Sequence, residues 1–149
     1  TASTVNSYKA YVPHHEAPVL ICWGIGNRSA MVRVSRRPGK ASHAEYRSGD
    51  ASGSIYLSYA VILHAGLDGI EQKTELPPAV ERNLYEMDPN SSLESLPLDF
   101  GEALRVARES DFLQRALGEA TFARYLEVKT NEWEQYRVFV TEWERSRYL

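Results

Sequence analysis

The sequence predicts an α+β chain: a few antiparallel strands of a larger curved sheet, followed by a mainly helical C-terminal portion. Three observations predict it. Residues 1–50 hold short apolar or alternating runs of strand length. From Ser52 the apolar period changes from two to about 3.6. Finally, three strands cannot bury both faces of a sheet unaided, so the sheet is expected to continue outside residues 1–149.

The elements follow in order. Val19–Trp23, bounded by Pro18 and Gly24, reads as a buried strand. Met31–Val34 alternates and reads as a second. His43–Arg47 reads as a third, with Ala44 and Tyr46 on one face and Glu45 and Arg47 on the other. Arg36 and Arg37 fall in a basic turn with Pro38, Gly39 and Lys40. Ile55, Tyr59, Ile62, Leu63, Gly66 and Ile70 follow a helical stripe that Leu57, Ala60 and Val61 widen, which predicts a buried helix. Glu75–Pro97, punctuated by four prolines and a Ser-rich patch, reads as a long surface loop. Asp99 is the expected N-cap of a helix over Phe100–Glu109, with Glu102 in the capping-box position. Phe112–Leu117 predicts a short helix. Glu119 to about Val140 predicts a long one, with Phe122, Tyr125, Leu126, Lys129, Trp133, Tyr136 and Val140 along one face.

Composition narrows the function classes. Hydrophobic content of 43% and charged content of 25% are ordinary for a globular domain. A formal charge of −3 gives no general attraction to nucleic acid or anionic membranes. No apolar run approaches the roughly 20 residues of a membrane helix, and the opening residues carry no basic-then-apolar leader. The single cysteine, Cys22, excludes an intrachain disulfide and fits a reducing, cytoplasmic setting.

Glu16, Arg28, Arg33, Lys40, Glu45 and Arg47 form a basic-rich polar set. Guanidinium forks suit bidentate recognition of phosphate and carboxylate, and phosphoryl transfer needs such cations plus a carboxylate-held metal. The same spacing fits a solvated face, and Glu45 and Arg47 serve equally as a structural ion pair. His14, His15 and His43 lack a second cluster at zinc-ligand spacing. His64 reads as a core or interface histidine and Cys22 as a core residue. Neither a nucleophile elbow nor a Walker phosphate loop occurs.

Taken together, Asn6-Ser7-Tyr8-Lys9, Val12-Pro13, Glu16-Ala17-Pro18, Trp23, Asn27-Arg28-Ser29-Ala30, Arg33, Glu45-Tyr46-Arg47-Ser48 with Asp50, Ala65–Ile70 and Asn83-Leu84-Tyr85 resemble the bacterial-type glutamine synthetase family, in order and along the whole chain. The resemblance implies that residues 1–149 are the C-terminal part of a catalytic domain, with 1–50 as a strand-rich active-site wall and 51–149 helical. It implies an ATP-dependent carbon–nitrogen ligase that forms glutamine from glutamate and ammonia through γ-glutamyl phosphate. Glu16 would lie on a flap and help deprotonate ammonium. Arg28 and Arg33 would neutralise phosphate charge, Lys40 would lie beside ATP, Glu45 would ligate Mg2+ or Mn2+, and Arg47 would hold a substrate or phosphate oxygen. Tyr85 matches a tyrosine that some members adenylylate. Trp143 to Leu149 resembles the terminal segment by which the family builds a double-ring dodecamer.

Four positions depart from the family pattern. Ala10 stands where an arginine normally grips the glutamate carboxylate, a contact worth about 1.5–3 kcal/mol. His43 replaces another arginine, Gly49 a proline, and Ser54-Ile55 an Asn-Pro. The remaining metal ligands of the family are not found in this chain, so the isolated chain is expected to be catalytically silent. The alternatives are ligation of glutamate to another amine, and a non-catalytic binding or regulatory relative.

Overall fold

The computed structural model describes every residue of the chain except 14, 16, 36–41 and 87–91. Three short strands, β1 (Trp23–Ile25), β2 (Val32–Ser35) and β3 (His43–Tyr46), form one sheet in the order β1-β2-β3. Five α-helices follow: α1 (Ile55–Glu71), α2 (Phe100–Arg108), α3 (Asp111–Leu117), α4 (Glu119–Arg137) and α5 (Glu142–Tyr148). This is the predicted α+β order of strands before helices.

The expected all-antiparallel pairing holds only between β2 and β3, where Arg33 lies opposite Glu45 and Val32 opposite Tyr46. β1 pairs with β2 in parallel, Trp23 opposite Val32 and Gly24 opposite Arg33. The cause lies in the connection between them. Gly26 adopts φ +67°, and its amide bonds the Val34 carbonyl at 3.0 Å while the Val32 amide bonds the Cys22 carbonyl at 3.1 Å. These bonds hold β2 alongside β1 in the same sense across a connection much shorter than the dozen or more residues that parallel neighbours ordinarily need.

The first expected strand shifts as well. Only Trp23 of Val19–Trp23 lies in β1; Leu20 instead bridges Ser95, supported by the Ile21 amide on Glu94 O and the Leu96 amide on Val19 O, both at 2.8 Å. The far end of the 75–97 loop is thus tied to the sheet by backbone hydrogen bonds, and Ile21 is exposed rather than buried.

Helix caps explain the helix starts. Ser54 caps α1 by accepting from the Leu57 amide, and Asp99 caps α2 by accepting from the Glu102 amide at 2.8 Å. Glu102 reciprocates one residue further upstream than a capping box requires, accepting from the Leu98 amide at 2.8 Å. The long final helix ends at Arg137 rather than near Val140, because Thr141 and Glu144 form a full capping box that begins α5.

A file of aromatic rings carries the core. Tyr11, Tyr8, Phe100, Trp133 and Tyr136 follow one another with centroid separations of 5.7, 5.8, 6.5 and 5.9 Å, joining the first residues to α2 and α4. Phe122, Tyr125, Leu126, Lys129, Trp133 and Tyr136 face inward along α4, as their spacing predicts. The prediction fails for α1, which buries no residue and leaves Tyr56, Tyr59, Leu63, Leu67 and Ile70 exposed. His64 is exposed on the same helix. No helix among the described residues is long and apolar enough to cross a membrane.

Candidate functional site

The site forms on one face of the β2–β3 ladder. Cross-strand register sets Arg33 directly opposite Glu45, and strand alternation puts Arg47 on the same side as Glu45. The Glu45 carboxylate accepts from both guanidiniums: Oε2 from Arg33 Nη2, and Oε1 from Arg47 Nε at 3.2 Å. The two arginine side chains are 24% and 20% exposed and Glu45 is 39% exposed, so the cluster opens to solvent mainly through the carboxylate. Arg33 Nε and Arg47 Nη1 are buried without a hydrogen-bond partner among the described residues. Two guanidiniums against one carboxylate leave one unit of positive charge, and the unpartnered donors give the face unused capacity for acceptor oxygens.

A second constellation fixes the turn that bears Arg28. Asn27 uses its whole amide: Nδ2 donates to the Val80 and Arg82 carbonyls at 2.8 and 3.0 Å, and Oδ1 accepts from the Ser29 amide and hydroxyl at 2.9 and 2.7 Å. The Ser29 hydroxyl oxygen in turn accepts from the Leu84 amide at 2.9 Å. Segment 80–86 is therefore latched onto the turn, which brings the Tyr85 hydroxyl to 3.5 Å from the Arg28 carbonyl. Gly24 permits the close approach, since a Cβ there would stand 2.3 Å from Val80 O. Arg28 itself is exposed, and among the described residues no hydrogen bond or ion pair joins its guanidinium to the Arg33–Glu45–Arg47 cluster.

A third group ties the Asn6–Lys9 segment to the end of β3. Asp50 accepts from the Ser7 hydroxyl and from the Ser52 amide and hydroxyl, the latter at 2.9 and 2.8 Å. Burial pushes the Asp50 carboxyl up, but these hydrogen bonds outweigh it and hold the carboxyl below its ordinary value. Ala10 lines a small cavity beside this group, together with Ser7, Asp50 and Ser52.

Of the sequence-predicted site residues, the fold unites Arg33, Glu45 and Arg47, and brings Tyr85 to the Arg28 turn. Glu16, Lys40 and His14 lie outside the described residues, as do Arg36 and Arg37. His15 and His43 are exposed, and among the described residues no group of three His, Cys, Asp or Glu side chains could hold a metal ion. The described residues therefore do not fit a divalent metal by themselves: Glu45 is a single carboxylate with both oxygens engaged by arginine. Burial raises the Cys22 thiol, consistent with a packing rather than a nucleophilic role. Sequence reasoning named Asn27, Ser7 and Asp50 only within motifs; their positioning roles depend on partners 43 to 55 residues away.

Comparison with known proteins shows the family. A family model described as the glutamine synthetase catalytic domain matches residues 1–148. The chain belongs to the glutamine synthetase family, a family of ligases. It is 46% identical to the glutamine synthetase of Thermotoga maritima and 43% identical to that of Methanocaldococcus jannaschii, in each case over its full length. It covers 35% and 34% of those proteins, so it spans about a third of the relatives it matches. Two solved structures titled "Apo GmaS without ligand" and "GmaS/ADP complex-Conformation 1" superpose with a TM-score of 0.82 at 35% and 32% identity. Each superposition covers 99% of this chain, and 33% and 34% of those structures respectively.

Proposed function

We propose that the chain is the C-terminal part of an ATP-dependent carboxylate–amine ligase and supplies the phosphate-facing wall of its active site. The observation that carries this reading is the Arg33–Glu45–Arg47 cluster, a net positive face with two unpartnered donors. Acyl-phosphate formation concentrates negative charge on the transferring group, and fixed guanidiniums offset it without reorganising. In the proposed assignment Arg33 and Arg28 face phosphate oxygens, and Arg47 orients a substrate or phosphate oxygen. Glu16 and Lys40 serve the ammonium flap and the nucleotide, and Glu45 belongs to the metal side of the site. Glutamate, ammonia, ATP and Mg2+ or Mn2+ are the reactants and cofactor of the whole protein, which we place in a cytoplasmic double-ring oligomer, with Tyr85 as a modification site where adenylylation operates.

The chain's own residues bind and orient phosphate oxygens; the described residues supply no complete metal site, so amide synthesis requires residues beyond them. ADP titration tests the wall: weak binding by the parent, lost in Arg33→Gln and Arg47→Gln, is expected. Binding indifferent to both substitutions would remove the assignment, and ATP-dependent amide synthesis by the 149 residues alone would overturn the partial-site reading.

A second reading, ligation of another amine or a non-catalytic binding or regulatory role, is favoured by Ala10. No guanidinium stands at that position, and the cavity beside it is lined by hydroxyls and the Asp50 carboxylate. Comparing amine substrates in the full-length protein separates these readings.

A further inference from the structure

A cavity of about 230 Å3 lies among the first residues of the chain and helices α1, α2, α3 and α4, and none of Arg33, Glu45 and Arg47 lines it. Leu57, Leu104 and Leu113 supply aliphatic wall, and Tyr8, Phe100 and Tyr125 supply rings. We propose that this cavity, independently of the phosphate wall, binds a small neutral molecule of the phenol class. The ring of such a ligand fills the apolar interior, and its one polar substituent meets the Tyr125 hydroxyl.

Size, charge and one idle donor lead there. An apolar cavity of roughly 150 Å3 stays dry and takes a benzene-sized ligand, so this one has room for a single ring with a substituent. Among the described residues no charged side chain lines it, and an unpaired charge is costly to bury, so the occupant is neutral. Aromatic walls favour an aromatic guest through offset and edge-to-face contacts. Tyr125 supplies the polar contact. Burial pushes its phenol up, so it is a protonated donor at neutral pH, yet it makes no hydrogen bond among the described residues. Tyr8, by contrast, has its hydroxyl engaged by the Ala2 carbonyl at 3.3 Å. Leu57 and Tyr125 also line an open groove between α1 and α4, so the Tyr125 ring stands where the cavity meets solvent and its rotation admits the ligand. Leu57 and Val61 turn one side of α1 to the cavity, while the exposed Tyr59, Leu63, Leu67 and Ile70 lie on another. Cover for that exposed stripe therefore leaves the cavity free.

The test titrates the full-length protein with phenol, toluene and benzoate by calorimetry. Phenol is expected to bind, and benzoate, which has the same ring and a charge, to bind at least about tenfold more weakly. Tyr125→Phe removes one hydrogen bond, so it should weaken phenol about fivefold and leave toluene unchanged. Ala107→Phe puts a ring into the cavity and should abolish binding of both. Circular dichroism verifies that each variant folds. Should Ala107→Phe not fold, the milder Tyr125→Phe decides through the contrast between phenol and toluene. Absence of phenol binding overturns the site, as when other parts of the whole protein fill the cavity. Benzoate binding as tight as phenol overturns it too, as does phenol affinity unchanged in Tyr125→Phe or in a folded Ala107→Phe.

Discussion

Replacing Asn27 by alanine should loosen the turn that bears Arg28 and release the segment that bears Tyr85, because one side-chain amide holds both. The amide makes four hydrogen bonds; those to Val80 O, Ser29 N and Ser29 Oγ are partly buried, and the one to Arg82 O is exposed. Water can replace the exposed bond, so the loss is set by the three sheltered ones. At about 1 kcal/mol each, Asn27→Ala should cost about 2–3 kcal/mol. For a chain of this size that lowers the melting temperature by about 5–10 °C. Asn27→Asp is the informative companion. It keeps the acceptor for Ser29 but sets a carboxylate against the Val80 carbonyl, so it should destabilise at least as much as alanine. Thermal unfolding measures the cost, and hydrogen exchange at the Leu84 amide reports whether 80–86 has left the turn, since that amide donates to Ser29 Oγ. A change below about 0.5 kcal/mol with Leu84 protection intact would refute the reasoning, because a substitution so mild is what a featureless surface site shows.

Other perturbations follow from the same geometry. Gly101→Val places a Cβ about 2.5 Å from Trp133 Cε2, so overpacking of about 1–3 kcal/mol should exceed the small helix-propensity gain and shift the tryptophan fluorescence; an unchanged melt and spectrum would contradict it. Burial keeps the Tyr8, Tyr11 and Tyr125 phenols protonated beyond their ordinary value of 10.0, so above that pH the folded chain holds protons the unfolded chain has lost, and stability should fall as pH rises. The Asp50 carboxyl is held below its ordinary 3.8, so its contribution should be complete above that pH and disappear as acid reaches the folded-state value; Asp50→Asn removes this limb of the stability profile. Cys22, raised by burial, should react with iodoacetamide at neutral pH more slowly than a free thiol, and rapid alkylation of the folded chain would refute its packing role. Finally, the apolar stripe of α1 should drive self-association that Leu63→Lys weakens in sedimentation experiments.

Where function follows from chemistry local in sequence, the chain is legible without coordinates. Strand alternation alone put Glu45 and Arg47 on one face, and Asp99 announced the start of α2. What escaped was set by distant partners. The parallel pairing of β1 depends on backbone bonds across the Gly26 turn, and the role of Asn27 depends on carbonyls of residues 80 and 82. The face of α1 misled for a different reason. Its apolar circumference was read as burial, correctly as a statement of what the side chains require, but the described chain covers it only where α3 packs, and leaves Tyr56, Tyr59, Leu63, Leu67 and Ile70 exposed.

That shortfall has a size. A compact monomer of 16.9 kDa should expose about 7,700 Å², whereas this chain exposes 10784 Å². The excess of about 3,000 Å² is several times the roughly 800 Å² that one partner contributes to a standard interface. It therefore resembles an unfinished core more than a transient docking patch, and α1 accounts for its most apolar part. The site is unfinished in a parallel way. Among the described residues, Arg33 and Arg47 are placed by a hydrogen-bonded ladder yet keep donors without partners, and Glu45 belongs to no group of three side chains that could hold a metal ion. Surface and site call for the same remedy: further sheet, further apolar cover and further ligands, as expected of a chain spanning about a third of its relatives' length. Firmly positioned cations with few partners among the described residues are what the proposed reading, one wall of an active site, requires.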